Sequence, residues 1–152
     1  MTQRAPLFSE LDKFLAAWHL SATQRYTDGG VAIAVEGGRI ISLRPRGAPS
    51  ARQPGWWLET RLVRLSRHPD RRAQQIAHSA AYSVQLIAHT KAALTIDARG
   101  VGLWLRQCVD APADCAQIED GFASFCDALS GWHSQPVQSG FAPILGSGAL
   151  WA

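Results

Sequence analysis

Histidine and cysteine are the residues of this sequence whose chemistry would suit metal binding, proton transfer or nucleophilic attack. The five histidines are scattered, and none has a carboxylate at the spacing of a metal site. His78 and His89 share a face of one predicted helix, but about 16 Å of helix axis separates them. A single metal ion cannot bridge that distance. The histidines therefore predict no metal site.

The sequence has three cysteines, Cys108, Cys115 and Cys126, so they cannot all pair with one another in disulfides. They have neither CxxC spacing nor a histidine at ligand spacing. We interpret all three as small, buried hydrophobic residues of a protein in a reducing compartment. The sequence also contains no GxSxG, P-loop or GxGxxG motif. We therefore expect no enzymatic activity and no cofactor.

The segment that would position the rest of the chain runs from 92 to 132. Leu94 and Ile96 alternate with polar residues, as in a half-buried strand, and a compact turn leads into a second alternating strand that ends at Val109. The period then changes to three- and four-residue steps, which predicts a helix. Its apolar stripe consists of Cys115, Ile118, Phe122, Phe125, Leu129 and Trp132.

Upstream of this unit, the pattern predicts an amphipathic helix from Leu7 to Leu20 and a β-hairpin from Val31 to Arg44. The Gly-Gly pair at 37–38 suits the two-residue turn that strand twist prefers. The cross-strand pairs that this turn predicts are Val35 with Ile40 and Ala34 with Ile41. Because the return strand is then apolar on both faces, we expect it to be covered on both sides.

The segment 56–65 fits a strand face and a helical stripe equally well. We assign a strand with a bulge near Leu62 and Val63, since its aromatic residues and the preceding hairpin favour a meander. Pro69 suits the first turn of a second helix, predicted over Asp70 to His89. Small residues lie beside that helix's apolar stripe, which consists of Ile76, Ala80, Val84 and Ile87. They permit close approach of another helix, including one from a second subunit.

Charge is distributed unevenly along the chain. The window from Arg39 to Arg72 holds nine arginines and two carboxylates, a net charge of +7, whereas the other residues carry −4. Such a window is typical of a solvated face, and it would also suit an acidic ligand or a nucleic acid. Trp56 and Trp57 stand beside these arginines and would suit stacking on single strands, although core packing is the commoner use of tryptophan.

No apolar stretch is long enough to span a membrane, and the first residues lack a secretory signal. We therefore expect one cytoplasmic domain over residues 1–134, with no membrane insertion. Residues 135–152 are uncharged and rich in Gly, Pro and Ser, which predicts a flexible tail. The tail also contains apolar residues, so the sequence leaves open whether it docks on its own domain or on a partner.

A short motif, His68-Pro69-Asp70 followed by the segment AAYSVQL from Ala80, resembles J-domain co-chaperones. The interval between the two parts is shorter than in that family, and the aromatic-rich opening helix is missing. The role of Pro69 at a helix start explains this match better.

The predicted order is helix, three strands, helix, two strands, helix. From about Leu7 to Trp132, this order resembles the class I type III secretion chaperones, the Tir-chaperone-like family. The resemblance rests on the glycine-turned hairpin, on the segment LTIDARGVGLWL from Leu94 and on the final helical series. It implies an α+β fold, with helices packed on a twisted antiparallel sheet, in a homodimer. The basic charge and the neutral tail after Gln135 depart from the family pattern.

The resemblance also implies a function. Such a protein would be a bacterial cytosolic chaperone that binds the extended N-terminal segment of a secreted effector and keeps it export-competent without nucleotide hydrolysis. Components of the secretion apparatus stay open as further partners, and nucleic acid is not an expected one. The alternative is a nucleic-acid or acidic-ligand module that uses the arginine-rich centre.

One layer of helices can cover only one face of the return strand, which predicts an apolar groove for the partner. The expected groove residues are Leu11, Val31, Ile33, Val35, Ile41, Leu43 and Trp57. The opposing interpretation is that the N-terminal helix or the tail fills this groove. The expected dimer interface consists of Ala77, Ala80, Ala81 and Val84 on the second helix.

Overall fold

The computed structural model describes residues 6–46, 55–110 and 114–133, and the tail predicted at 135–152 lies outside them. The described chain forms three α-helices and six strands. Their bounds are α1 Pro6–Ala17, β1 Ala22–Arg25, β2 Val31–Val35, β3 Arg39–Arg46, β4 Gly55–Arg64, α2 Pro69–His89, β5 Ala92–Ile96, β6 Gly102–Val109 and α3 Cys115–His133.

The six strands form one antiparallel sheet in the order β1-β2-β3-β4-β6-β5. The described helices pack on one side of it, which we call the helix face. In β4, for example, Trp56, Leu58 and Thr60 are buried on the helix face, while Trp57 points to the opposite side. We call that opposite side the open face, since no helix of the described chain lies on it. The α+β class and the antiparallel sheet predicted from the sequence are confirmed.

The core lies between the helix face and helices α1 and α3. The predicted aromatic stripe of α3 supplies Ile118, Phe122 and Phe125, each at most 3% exposed. Gly121 lets this helix approach β6 closely, because a Cβ at that position would stand 2.5 Å from a methyl carbon of Val109. The side-chain amide of Gln107 in β6 then reaches the Gly121 carbonyl at 3.0 Å. Close packing of α3 on the sheet thus depends on a residue without a side chain.

Strand β4 has the bulge that the sequence predicts. Its register with β6 shifts between Arg61 and Val63. Helix α2 begins at Pro69, as expected, with His68 in extended conformation as its N-cap residue. The His68-Pro69-Asp70 motif therefore stands at a strand-to-helix junction of an α+β fold, which agrees with the role of Pro69 as a helix start.

The sequence analysis missed strand β1. Three of its four residues are polar and exposed, so they give no alternation signal. The strand is held by backbone pairing with β2 at the edge of the sheet. The hairpin register was also wrong by one residue. Glu36–Gly38 forms a three-residue connection in which Gly37 and Gly38 both have positive φ. Ile33 therefore pairs with Ile41, and Ala34 pairs with Ile40.

Helix α1 ends earlier than predicted. His19 adopts a left-handed conformation with φ of 51°, and the Leu20 N–H donates to the Leu15 carbonyl at 2.9 Å. A second bond joins the His19 N–H to the Ala16 carbonyl. This is a Schellman ending, which usually carries glycine. The absence of a glycine explains why the sequence pattern continued the helix to Leu20.

Candidate partner-binding surfaces

The structure places most of the predicted groove residues in the core of the chain. Five of them are at most 1% exposed: Leu11, Val31, Ile33, Ile41 and Leu43. Helix α1 fills the space over these strands, with the Phe8 ring 6.1 Å from Trp56 and the Phe14 ring 5.2 Å from Phe122 of α3. In the folded chain, a partner would reach these five side chains only if α1 moved away. In the single chain, the N-terminal helix therefore fills the predicted groove, as the opposing interpretation has it.

The two remaining groove residues lie on different sides of the sheet. Val35 is half-buried beside the core, whereas Trp57 is 37% exposed on the open face. The structure therefore does not bring the seven predicted residues together. The reason is the alternation of β4, in which the neighbouring residue Trp56 occupies the core and turns Trp57 to the other side.

The four predicted interface residues lie together on the outer face of α2, defined as the side turned away from the core. Ala77, Ala80, Ala81 and Val84 are all exposed. The inner face of α2 carries Gln75, Ser79, Tyr82 and Leu86, which are buried. The apolar stripe of this helix consequently points to solvent in the single chain. Its large members are Ile76, Val84 and Ile87, with exposed fractions of 36%, 70% and 74%. A contiguous apolar helix face of this kind is typical of a protein–protein interface.

Arginines and aromatic rings line the open face in contacting pairs. The guanidinium carbon of Arg44 lies 4.8 Å from the centre of the Tyr26 ring, and that of Arg46 lies 5.7 Å from Trp57. On β6, Arg106 stands 5.9 Å from the Trp104 ring. The sequence suggested core packing for both Trp56 and Trp57, but only Trp56 is buried.

Carboxylates hold three of these arginines in place. Arg44 donates twice to Asp28, at 2.9 and 2.5 Å, and Arg106 donates to Glu59 at 3.0 Å. Arg46 reaches Asp110 at 3.1 Å. Burial acts to raise the pKa of Asp28, but the hydrogen bonds from Arg44 and the Gly30 N–H outweigh it and lower that pKa. The open face is therefore a partly neutralised cationic surface rather than a row of bare positive charges.

A depression in the open face has a volume of about 530 Å³. It lies over β4, β6 and β5, where the register brings Trp57 opposite Cys108 and Glu59 opposite Arg106. The full lining is Trp57, Glu59, Lys91, Ala93, Thr95, Arg106 and Cys108. Sequence reasoning did not find this depression because its residues come from strands that are distant along the chain.

The three cysteines are free and half-buried. Burial raises the thiol pKa of Cys108 and of Cys126, which favours the protonated thiol over the thiolate. Within residues 6–46, 55–110 and 114–133, no group of three or more His, Cys, Asp and Glu side chains could hold a metal ion. Over the same residues, no helix has the length and hydrophobicity needed to cross a bilayer.

The fold is similar to that of two solved structures. One is a chain in the crystal structure of the ExsC–ExsE complex, with a TM-score of 0.63 and 13% identity over 89% of this chain and 96% of that chain. The other is a chain in the HopA1–SchA chaperone–effector complex, with a TM-score of 0.57 and 14% identity over 83% and 93% of the two chains. The resemblance to the class I type III secretion chaperone fold, predicted from the sequence, is confirmed. No protein-family model and no curated protein matches the sequence.

Proposed function

We propose that this protein is a cytosolic chaperone that binds the extended N-terminal segment of a type III secreted effector and delivers it, export-competent, to the secretion apparatus. The observation that carries the proposal is the fold, which extends over most of this chain and of two chains from complexes, one of them a chaperone–effector complex. Such binding needs no nucleotide hydrolysis, because apolar burial and backbone pairing supply the free energy.

The outer face of α2 supports a homodimer as the working form. Val84 and Ile87 are about three-quarters exposed in the single chain. Covering them with another surface would add the free energy of burying their apolar side chains. The alanines beside them allow a second helix to approach closely. A two-fold axis at this helix would place the same stripe of both copies against each other, as in an isologous interface.

Two edge strands of the sheet offer backbone groups to an extended segment. Strand β1 forms one edge and β5 the other. Each presents one side without a strand partner among the described residues, and an extended effector segment could add there as a further strand. This mode of binding holds the effector segment unfolded, as export requires.

The test is co-expression with candidate effectors encoded beside this chain's gene. We expect one secreted protein to co-purify with the chaperone, and limited proteolysis to leave its N-terminal segment protected while the rest is cleaved. Addition of ATP should change neither the complex nor its lifetime. Candidates lacking the protected N-terminal segment serve as the control and should not be retained. Protection of a folded effector domain instead of the N-terminal segment would contradict the proposal.

A further inference from the structure

We propose that the open face at β4, β6 and β5 binds an acidic, extended segment of the partner protein, with one carboxylate seated between Lys91 and Arg106 beside the Trp57 ring. The identity of the partner rests on the proposed function. The inference adds the location of one bound segment and the chemistry that this segment must carry.

The shape of the depression suits one side chain of an extended peptide. Two small residues, Ala93 and Cys108, line the depression. Across the strands, Ala93 lies opposite Arg106 and Cys108 lies opposite Trp57. Trp57 forms an apolar wall, and Lys91 supplies a cation at the β5 side. Side chains on one face of an extended chain recur about every 7 Å. A neighbouring residue of the same segment would therefore lie one cross-strand row away, over Trp104 and Thr95.

The charge of the open face favours a negative ligand. The strands β3 to β6 contribute five arginines and one carboxylate, Glu59, to this face: Arg44, Arg46, Arg61, Arg64 and Arg106. Three of these arginines form salt bridges with carboxylates. Within the described residues, no salt bridge joins Lys91 or Arg64 to a carboxylate. Lys91 is therefore the cation in the depression that has its charge available for a ligand.

One polar atom of a residue that lines the depression, the Thr95 hydroxyl oxygen, is buried without a hydrogen-bond partner in the described chain. Thr95 lies on β5 opposite Trp104 of β6. Buried polar atoms in native proteins almost always have partners. A peptide backbone group of the bound segment would supply a partner for Thr95.

A peptide suits this surface better than a nucleic acid. Glu59 lies within the depression, and Asp97 lies beside Trp104 with its carboxylate 3.5 Å from the indole nitrogen. A continuous chain of phosphates would meet both carboxylates. A peptide can place one carboxylate on the Lys91 side of the depression, with the strand β6 between it and Glu59, and neutral residues elsewhere. It therefore meets less of this repulsion than a chain of phosphates does.

The direct test is an NMR titration of the isotopically labelled full chain with a twelve-residue peptide of alternating Glu and Val. We expect chemical-shift changes at the Trp57 indole, Ala93 and Thr95. Peptides with Gln or Lys in place of Glu should bind at least tenfold more weakly. Tighter binding of the Lys peptide, or shifts confined to other faces, would overturn the proposal. So would tighter binding of a twelve-nucleotide oligothymidylate at the same residues.

Two variants locate the contact. Lys91→Glu should weaken binding of the acidic peptide about tenfold at low salt, because it replaces attraction with repulsion at the contact. Thr95→Val should weaken binding about threefold and leave the preference for Glu over Gln unchanged. The matched control is Arg99→Glu, which makes the same charge change at an exposed position in the β5–β6 turn. Equal weakening by Arg99→Glu would mean that only net charge matters and would overturn the assignment to the depression.

Co-purification with the effector separates this inference from the proposed function. If Lys91→Glu retains the effector as strongly as the wild type does, the inference fails and the proposed function stands. If the wild type retains no secreted protein but binds the acidic peptide at Trp57, the proposed function fails and the chemistry assigned to the open face stands.

Discussion

The hydroxyl of Tyr82 donates a hydrogen bond of 2.7 Å to the backbone carbonyl of Ala128, and this bond ties helix α2 to helix α3. The Tyr82 ring also lies 5.4 Å from the ring of Trp132. Gly131 leaves room for the contact, because a Cβ there would stand 2.7 Å from the Tyr82 hydroxyl oxygen. Tyr82 lies on the buried inner face of α2 with Gln75, Ser79 and Leu86, so its bond to Ala128 helps to hold the helix with its apolar stripe outward.

Removing the Tyr82 hydroxyl should weaken this docking. Tyr82→Phe keeps the ring but leaves the Ala128 carbonyl without its donor, so we expect the free energy of unfolding to fall by about 1–2 kcal/mol. Urea denaturation followed by circular dichroism measures the change. Tyr26→Phe, which removes a partly buried hydroxyl bonded to Ser42, is the matched control and should cost less. An unchanged stability of Tyr82→Phe would contradict the docking role.

The same tyrosine should make the fold sensitive to alkali. Burial raises the pKa of Tyr82 in the folded chain. The stabilisation from this group is therefore fully present below the unfolded pKa of about 10 and is lost as the pH rises through the folded pKa. Wild type should lose stability as the pH rises above about 10, and Tyr82→Phe should lose less over the same range. Parallel pH profiles of the two proteins would contradict this prediction.

Charges on the outer face of α2 should separate the subunits of the proposed dimer. Val84→Glu or Ile87→Glu places a carboxylate in a position that the dimer would bury, whereas in the monomer both sites are exposed. We expect sedimentation equilibrium to show a dimer for the wild type and a folded monomer for each variant. Ala116→Glu, at an exposed site in the first turn of α3, is the control and should remain dimeric. A wild type that is monomeric at all micromolar concentrations would refute the interface.

Truncating two adjacent isoleucines of β3 should change the free energy of unfolding by very different amounts. Ile41 is fully buried on the helix face, so Ile41→Ala should lower the free energy of unfolding by about 2–5 kcal/mol. Ile40 is 42% exposed on the open face, and Ile40→Ala should change it by less than about 1 kcal/mol. Denaturant titrations of both variants decide the point. Equal effects would mean that the hairpin register described above is incorrect.

Substitutions of two adjacent tryptophans of β4 should affect different properties, one of them effector binding and the other stability. We expect Trp57→Ala to weaken effector binding about tenfold, because an exposed ring beside a cation is a typical hot spot, while stability changes by less than about 1 kcal/mol. Trp56→Ala should instead cost about 3–5 kcal/mol of stability, since that side chain is fully buried. Calorimetric titration and thermal unfolding measure the two effects. Full retention of the effector by folded Trp57→Ala would remove Trp57 from the contact surface.

The sequence by itself determined most of the element order and the interior stripe of α3. These features depend on neighbours within one helix or one hairpin, so periodicity shows them directly. The spacing of Ile118, Phe122 and Phe125 and the start of α2 at Pro69 are such local signals, as is the bulge near Val63. Strand β1 escaped because its pairing with β2 uses backbone groups, which leave no mark in the side-chain pattern.

Only the tertiary structure decided which surfaces are open. The sequence suggests a dimer interface for the stripe of α2 that includes Val84, but the helical period alone does not say whether that stripe points to the core or outward; in the structure Tyr82 lies on the buried side and Val84 points outward. Trp57 and Ile41 look like members of one groove, yet they lie on opposite sides of the sheet. The physical reason is that periodicity shows which residues share a face but not what covers that face. Covering depends on contacts between residues far apart in the chain, such as Phe14 with Phe122.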